Sequence, residues 1–221
     1  MKLILSIGLF LLVCGCSFGQ DTTDIKTFTP VYFEKHEDAL CQYSVYKQII
    51  PNLEVPTLIA LSHYPELKGT RIVFVEKPIR TSAACRPTWS SLFKSRKNRV
   101  YKIFLNNDDL NLKGALVGEV PFDAKIGLIG HELGHVADYS HRSILSILGM
   151  AVHYLFISGR SKVEQRVDGI TIAHHLGWQL YNFEDFIFYK STVSKEYKEY
   201  KRKVYLAPEK LKKMIGARGR Q

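Results

Sequence analysis

Two periods of hydrophobic and polar residues can be read along this chain. Arg71 to Lys77 (RIVFVEK) and Arg99 to Asn106 (RVYKIFLN) alternate from residue to residue, the pattern of half-buried strands. From Asp123 the period lengthens. DAKIGLIGHELGHVADYSH sets Ile126, Ile129, Leu133, Val136 and Ala137 on one stripe, which predicts a helix packed against a core. Helical spacing also marks residues 32 to 50 and the segment SKVEQRVDGITIAHHLGW from Ser161 to Trp178. Between the last two helices, Ser143 to Ile157 (SILSILGMAVHYLFI) carries no charge. Fifteen helical residues reach only about 22 Å, short of a bilayer core of about 30 Å. The segment therefore predicts a buried helix, with a membrane-surface hairpin as the alternative.

The first of these helices carries definite chemistry. His131, Glu132, Leu133, Gly134 and His135 form HExxH, in which one helical turn separates two imidazoles that can grip one Zn²⁺. Glu132 stands beside them, placed to take a proton from a water on the metal. No other charged residue lies between Gly127 and Ala137, as a desolvated metal site requires. The bland alternative is an amphipathic helix with two partly exposed histidines. A catalytic zinc also needs a third protein ligand and an open position for water. Glu164 and Asp168 stand four apart, on one face of the second helix; Glu164 could bind the metal and Asp168 could accept the second ring N–H of a ligating histidine. His141 competes for the third position, being the last residue of HELGHVADYSH.

HExxH followed by a helix bearing ExxxD resembles the gluzincin branch of the zincin metallopeptidases, including the thermolysin-like group, over roughly a third of the chain. The resemblance implies His131, His135 and Glu164 as ligands of one Zn²⁺ per chain, Asp168 behind them and Glu132 as general base. HELGHVADYSH is also similar to the metzincin pattern HExxHxxGxxH, which implies His141 instead. Asp138 occupies the place of that family's glycine, which turns the chain in a left-handed conformation, and Met150 alone represents its methionine turn. Either branch implies an α+β fold, a zincin-like domain with a small mixed sheet over the metal helix and a second, ligand-bearing helix. An edge strand would hold extended substrate by main-chain pairing; by analogy Leu112 to Val120 is the candidate edge, and a loop with two glycines is the alternative. The implied reaction is peptide-bond hydrolysis, in which zinc acidifies water, Glu132 moves the proton and a further donor stabilises the oxyanion. That donor stays unassigned among Tyr139, Tyr154, Arg166, His174 and His175.

Met1 and Lys2 lead into a brief apolar run that reads as an export signal over residues 1–19, with Gln20 as the new terminus. Lipidation at Cys16 is the alternative processing route. Both routes place the protein in the periplasm or outside the cell. Cys41 and Cys85 remain after the signal, and in an exported chain the expectation is a bridge between them. About 200 residues then suffice for one domain with a sizeable core, expected over 20–190.

The formal charge is +10, but residues 190 to 221 hold 11 Lys and Arg against 3 Glu, so the rest of the chain is nearly neutral. This basic helical tail, 191–221, is interleaved with tyrosines; it reads as a solvated helix packed through them, or as a peripheral contact with anionic membrane at the envelope. No nucleic-acid module is visible in the chain. The expectation is an exported zinc metallopeptidase acting on a protein or peptide. A zincin-like, metal-stabilised binding module without turnover is the alternative.

Overall fold

The computed structural model describes residues 25–107 and 114–218. The expected export signal, Cys14, Cys16 and the first two residues of the Leu112 to Val120 stretch lie outside the described residues.

In chain order the elements are helix α1 (Pro30–Cys41), strand β1 (Lys47–Gln48), helix α2 (Glu54–Ser62), strands β2 (Arg71–Glu76) and β3 (Ala83–Pro87), and a single turn α3 (Trp89–Leu92). Strand β4 (Val100–Leu105) and helices α4 (Phe122–His141), α5 (Ile144–His153), α6 (Ile157–Ala173), α7 (Gly177–Asp185), α8 (Lys195–Val204) and α9 (Pro208–Arg218) follow. The architecture is α+β. The two alternating segments form β2 and β4, which pair in parallel from Arg71↔Val100 to Glu76↔Leu105, while β1 pairs in parallel with the other side of β2. β3 runs antiparallel to β4, from Ala83↔Leu105 to Pro87↔Tyr101, so the mixed sheet has the order β1-β2-β4-β3. β3 lies in the segment TSAACRPTWSS, which joins the two alternating stretches and carries no strand pattern of its own. That segment lacks the β-branched alternation that marks its neighbours, and an edge strand tolerates Pro87 because one row of its backbone groups needs no partner.

Helix α4 is the centre of the molecule, packed against α2, α6, α7 and β3. Every residue from Ile126 to Ala137 is buried, which is why this stretch contains one charge only. Asp123 anchors its first turn. Its carboxylate accepts from Phe28 N at 2.6 Å and from Asn182 Nδ2 at 2.5 Å, tying the N-terminal segment and α7 to the positive end of the helix. Glycines set how closely the neighbours approach: a Cβ on Gly127 would stand 2.1 Å from the Gln179 carbonyl oxygen of α7, and one on Gly134 would meet Val167 and Thr171 of α6 at 3.0 and 3.2 Å. Tyr64, fully buried, donates to the Gly130 carbonyl at 2.7 Å.

Three expectations are corrected. α5 is not a buried helix: only Ile147 and Met150 are buried along it, and Leu145 is 80% exposed. Gly114 to Val120 holds no strand and runs as turns, so the edge beside the central helix is β3 instead. Cys41 and Cys85 are free thiols: Cys41 is exposed at the end of α1, whereas Cys85 sits on β3 and lines the cleft beside Glu132.

Candidate metal centre

The helical spacing of HExxH does in three dimensions what geometry requires of it. His131 and His135 project from the buried face of α4, their ring centroids 5.0 Å apart, toward the face of α6 that carries Glu164 and Asp168. His131 Nε2 and His135 Nε2 stand 3.0 and 3.1 Å from the same Glu164 oxygen, Oε2. The ligand atoms of this buried trio lie within 4.8 Å of one another, and the group could hold a metal ion. Bonds of about 2.1 Å in a tetrahedral site put ligand atoms about 3.4 Å apart, close to the separations found. Glu132 is 4% exposed, its Oε2 has no hydrogen-bond partner, and it lines the cleft beside the trio. Two imidazoles and one carboxylate, with a second carboxylate beside them, are a donor set that could hold a divalent metal ion.

A ring of contacts orients these groups. Asp168 Oδ1 lies 2.9 Å from His131 Nδ1, an ion-pair contact whose direction is not that of a linear hydrogen bond, and its Oδ2 accepts from Leu206 N at 3.1 Å. Tyr154 donates to the other Glu164 oxygen, Oε1, at 2.7 Å. Burial pulls the His131 ring down, but the Asp168 and Glu164 carboxylates outweigh it and hold the ring well above its ordinary value. Burial pushes Glu164 up, and His135 and His131 overcome it to hold that carboxyl well below its usual range. For Glu132 burial wins over the nearby imidazoles, and its carboxyl is raised.

The cleft over these residues is a cavity of about 170 Å³, lined by Ala83, Ala84 and Cys85 of β3 and by Tyr154, Arg160, Tyr200 and Tyr205. The basic C-terminal segment thus reaches the centre. Tyr205, just beyond α8, places its ring 5.7 Å from that of His131. Lys201 is buried and paired with Glu184 at 2.5 Å, its ammonium 4.1 Å from the Tyr205 ring centroid. Tyr200 accepts from Arg160 at 3.0 Å. These residues carry no local signature in the sequence. What could point to them is the helical spacing of Tyr197, Lys201 and Val204, which form the buried face of α8.

The remaining sequence candidates go elsewhere. α4 continues in helical form through Asp138 to His141, and His141 ends it exposed, away from the trio. Asp138 instead accepts from Arg142 and Arg166, which turns Arg166 to the surface. Tyr139 stacks beside His135 at 5.9 Å. α6 stops before its two histidines. His175 adopts φ 60° and leads the chain into α7, while His174 stacks on Tyr64 and pairs with Glu66 at 2.9 Å. Neither histidine lines the cleft.

Scans against protein-family models, curated proteins and solved structures find no match for this chain.

Proposed function

We propose that this protein is an exported zinc-dependent hydrolase of peptide bonds, with a zincin-like fold of the gluzincin type. The observation that carries the reading is the convergence of His131, His135 and Glu164 in a cleft that Glu132, whose Oε2 has no hydrogen-bond partner, also lines. The antiparallel edge strand beside that point supports it: β3 offers main-chain groups along which an extended peptide can pair.

His131, His135 and Glu164 would hold the ion, and a bound zinc would supply Lewis acidity to a water and to the scissile carbonyl. Glu132 Oε2 takes the proton from the attacking water and passes it to the leaving nitrogen. Asp168 fixes the orientation of His131, and Tyr154 that of Glu164. Tyr205, which lines the cleft beside His131, is the candidate donor to a developing oxyanion. The buried Lys201–Glu184 pair holds α8, and with it Tyr205, against the core.

Metal content by mass spectrometry, with cleavage of a peptide library, tests the reading. Wild type should carry one zinc; Glu164→Ala should lose it and His141→Ala should keep it. Glu132→Gln should keep the metal and lose turnover. Asp168→Asn should weaken zinc binding by about 10- to 100-fold. A metal-replete wild type without zinc, or a Glu132→Gln variant with undiminished cleavage, would overturn the proposal.

A further inference from the structure

The surface next to the cleft pairs two features that the proposed chemistry does not use. The first is apolar. Leu145, Leu148 and Val152 follow one another at intervals of three and four residues, on one face of α5, and are 80, 39 and 57% exposed. Leu155 and Phe156 continue this exposure into the turn before α6. Across a cavity of about 420 Å³ lies Trp89 of α3, 74% exposed, with Phe93 one turn further on at 72%. Leu148, Ala151 and Trp89 line that cavity together, so α3 and α5 belong to one face. Its walls continue through Cys85 and Tyr154 into the cleft above Glu132. Single exposed apolar residues are ordinary, but a contiguous apolar face built from two elements marks an interaction site.

The second feature is charge. Lys77 to Asn107, the stretch that carries α3, holds eight Lys and Arg, of which Arg99 is buried, and no Asp or Glu; Tyr139 to Val163, the stretch that carries α5, holds three, of which Arg142 is paired with Asp138, and again no Asp or Glu. Lys94, Arg96 and Lys97, all exposed, directly follow Phe93. A second copy of the chain would bring these cations against their like, and a nucleic acid would leave the aliphatic stripe without a partner. An anionic lipid surface satisfies both: apolar side chains enter the headgroup boundary while the cations meet phosphates. α5 is ten residues long, and among the described residues no helix is long and apolar enough to cross a membrane, so the geometry is that of a helix lying on the surface.

We infer that the face formed by α3 and α5, with Trp89, Phe93, Leu145, Leu148 and Val152 at its centre and Lys94, Arg96 and Lys97 at its edge, docks on an anionic phospholipid bilayer. The metal cleft opens beside this face, so docking sets it at the membrane boundary. Membrane binding itself does not depend on zinc or turnover, and its failure is therefore separate from failure of the hydrolase reading.

Trp89 is a reporter built into the face, because the only other tryptophan is Trp178 on α7. In the full chain carrying Trp178→Phe, emission should shift to the blue with phosphatidylcholine vesicles containing phosphatidylglycerol, and not with phosphatidylcholine alone at physiological salt. Leu148→Glu with Val152→Glu should weaken the vesicle affinity so read by at least about tenfold, with circular dichroism unchanged, whereas Lys212→Glu with Lys213→Glu on α9 should leave it within about twofold. Should Trp178→Phe fail to fold, quenching of the wild-type chain by lipids brominated on the acyl chain gives the same reading. No shift or quenching with anionic vesicles overturns the inference. So does a shift produced by single-stranded DNA alone, or one that follows protein concentration without vesicles and coincides with dimerisation in ultracentrifugation.

Discussion

Helices α4 and α5 are neighbours in the chain, joined at Arg142 and Ser143, and they exchange the roles their compositions suggest. The stretch of α4 from Ile126 to Ala137 contains two histidines, a glutamate and three glycines, yet every residue of it is buried. α5 contains no charged residue at all and leaves most of its surface in water. The difference lies in what packs around each. α4 is enclosed by β3, α2, α6 and α7, close enough that two of its glycines touch neighbouring elements, and its polar side chains find partners on α6. α5 meets α6 through few contacts and has nothing over its outer stripe. Apolarity makes burial favourable, but burial occurs only where the fold supplies a surface.

The sharpest way to break the comparison is to add the same bulk to both helices. Gly127→Ala drives its Cβ into the Gln179 backbone and should cost about 3 kcal/mol or more in chemical denaturation. Gly149→Ala on α5 meets nothing within 4 Å and should raise stability by about 0.5–1 kcal/mol, since alanine is the better helix former. Unfolding midpoints that move together would show α5 to be as enclosed as α4.

Removing bulk sharpens the same contrast. Leu133→Ala, fully buried in α4 between the two histidines, should cost about 2–5 kcal/mol. Leu145→Ala on α5 should stay within about 0.5 kcal/mol of wild type. A large loss at Leu145 in dilute, lipid-free solution would mean that its face is already covered by another molecule of the chain.

The smallest expected effect concerns the ion pair that joins the end of α6 to the turn after α2. Burial and the Glu66 carboxylate act oppositely on His174, and the carboxylate wins, so its pKa lies above the ordinary 6.5. Burial also opposes the shift of Glu66, yet His174 holds it below the ordinary 4.5. The raised histidine stabilises the fold fully below pH 6.5, a contribution lost as pH rises through its folded value. The lowered carboxylate stabilises it fully above pH 4.5, a contribution lost as pH falls through its own. The pair is therefore at full strength between these limits, and Glu66→Gln should remove a shallow maximum there of a few tenths of a kcal/mol, both groups being partly solvated. A melting temperature whose pH profile is the same in both proteins would show that the pair contributes nothing.

Much of the centre is legible in the chain because it is local. One helical turn puts His131 and His135 on a common face, four residues do the same for Glu164 and Asp168, and strict alternation marks β2 and β4. β3 escapes because a short edge strand of alanine, cysteine and proline has neither alternation nor β-branched residues to announce it. Tyr205 escapes because a tyrosine at such a separation from HExxH carries no periodic relation to it, and Tyr154, legible only as one candidate donor among five, is found bonded to Glu164. The local patterns determine which side chains share a face, since helix and strand geometry relates residues only a few positions apart. The tertiary structure alone decides that Glu164 meets both histidines, that α8 brings Tyr205 and the Lys201–Glu184 pair to the cleft, and that the apolar stretch between α4 and α6 faces outward. Those outcomes depend on which surfaces dock, and docking is settled by the packing of the whole chain.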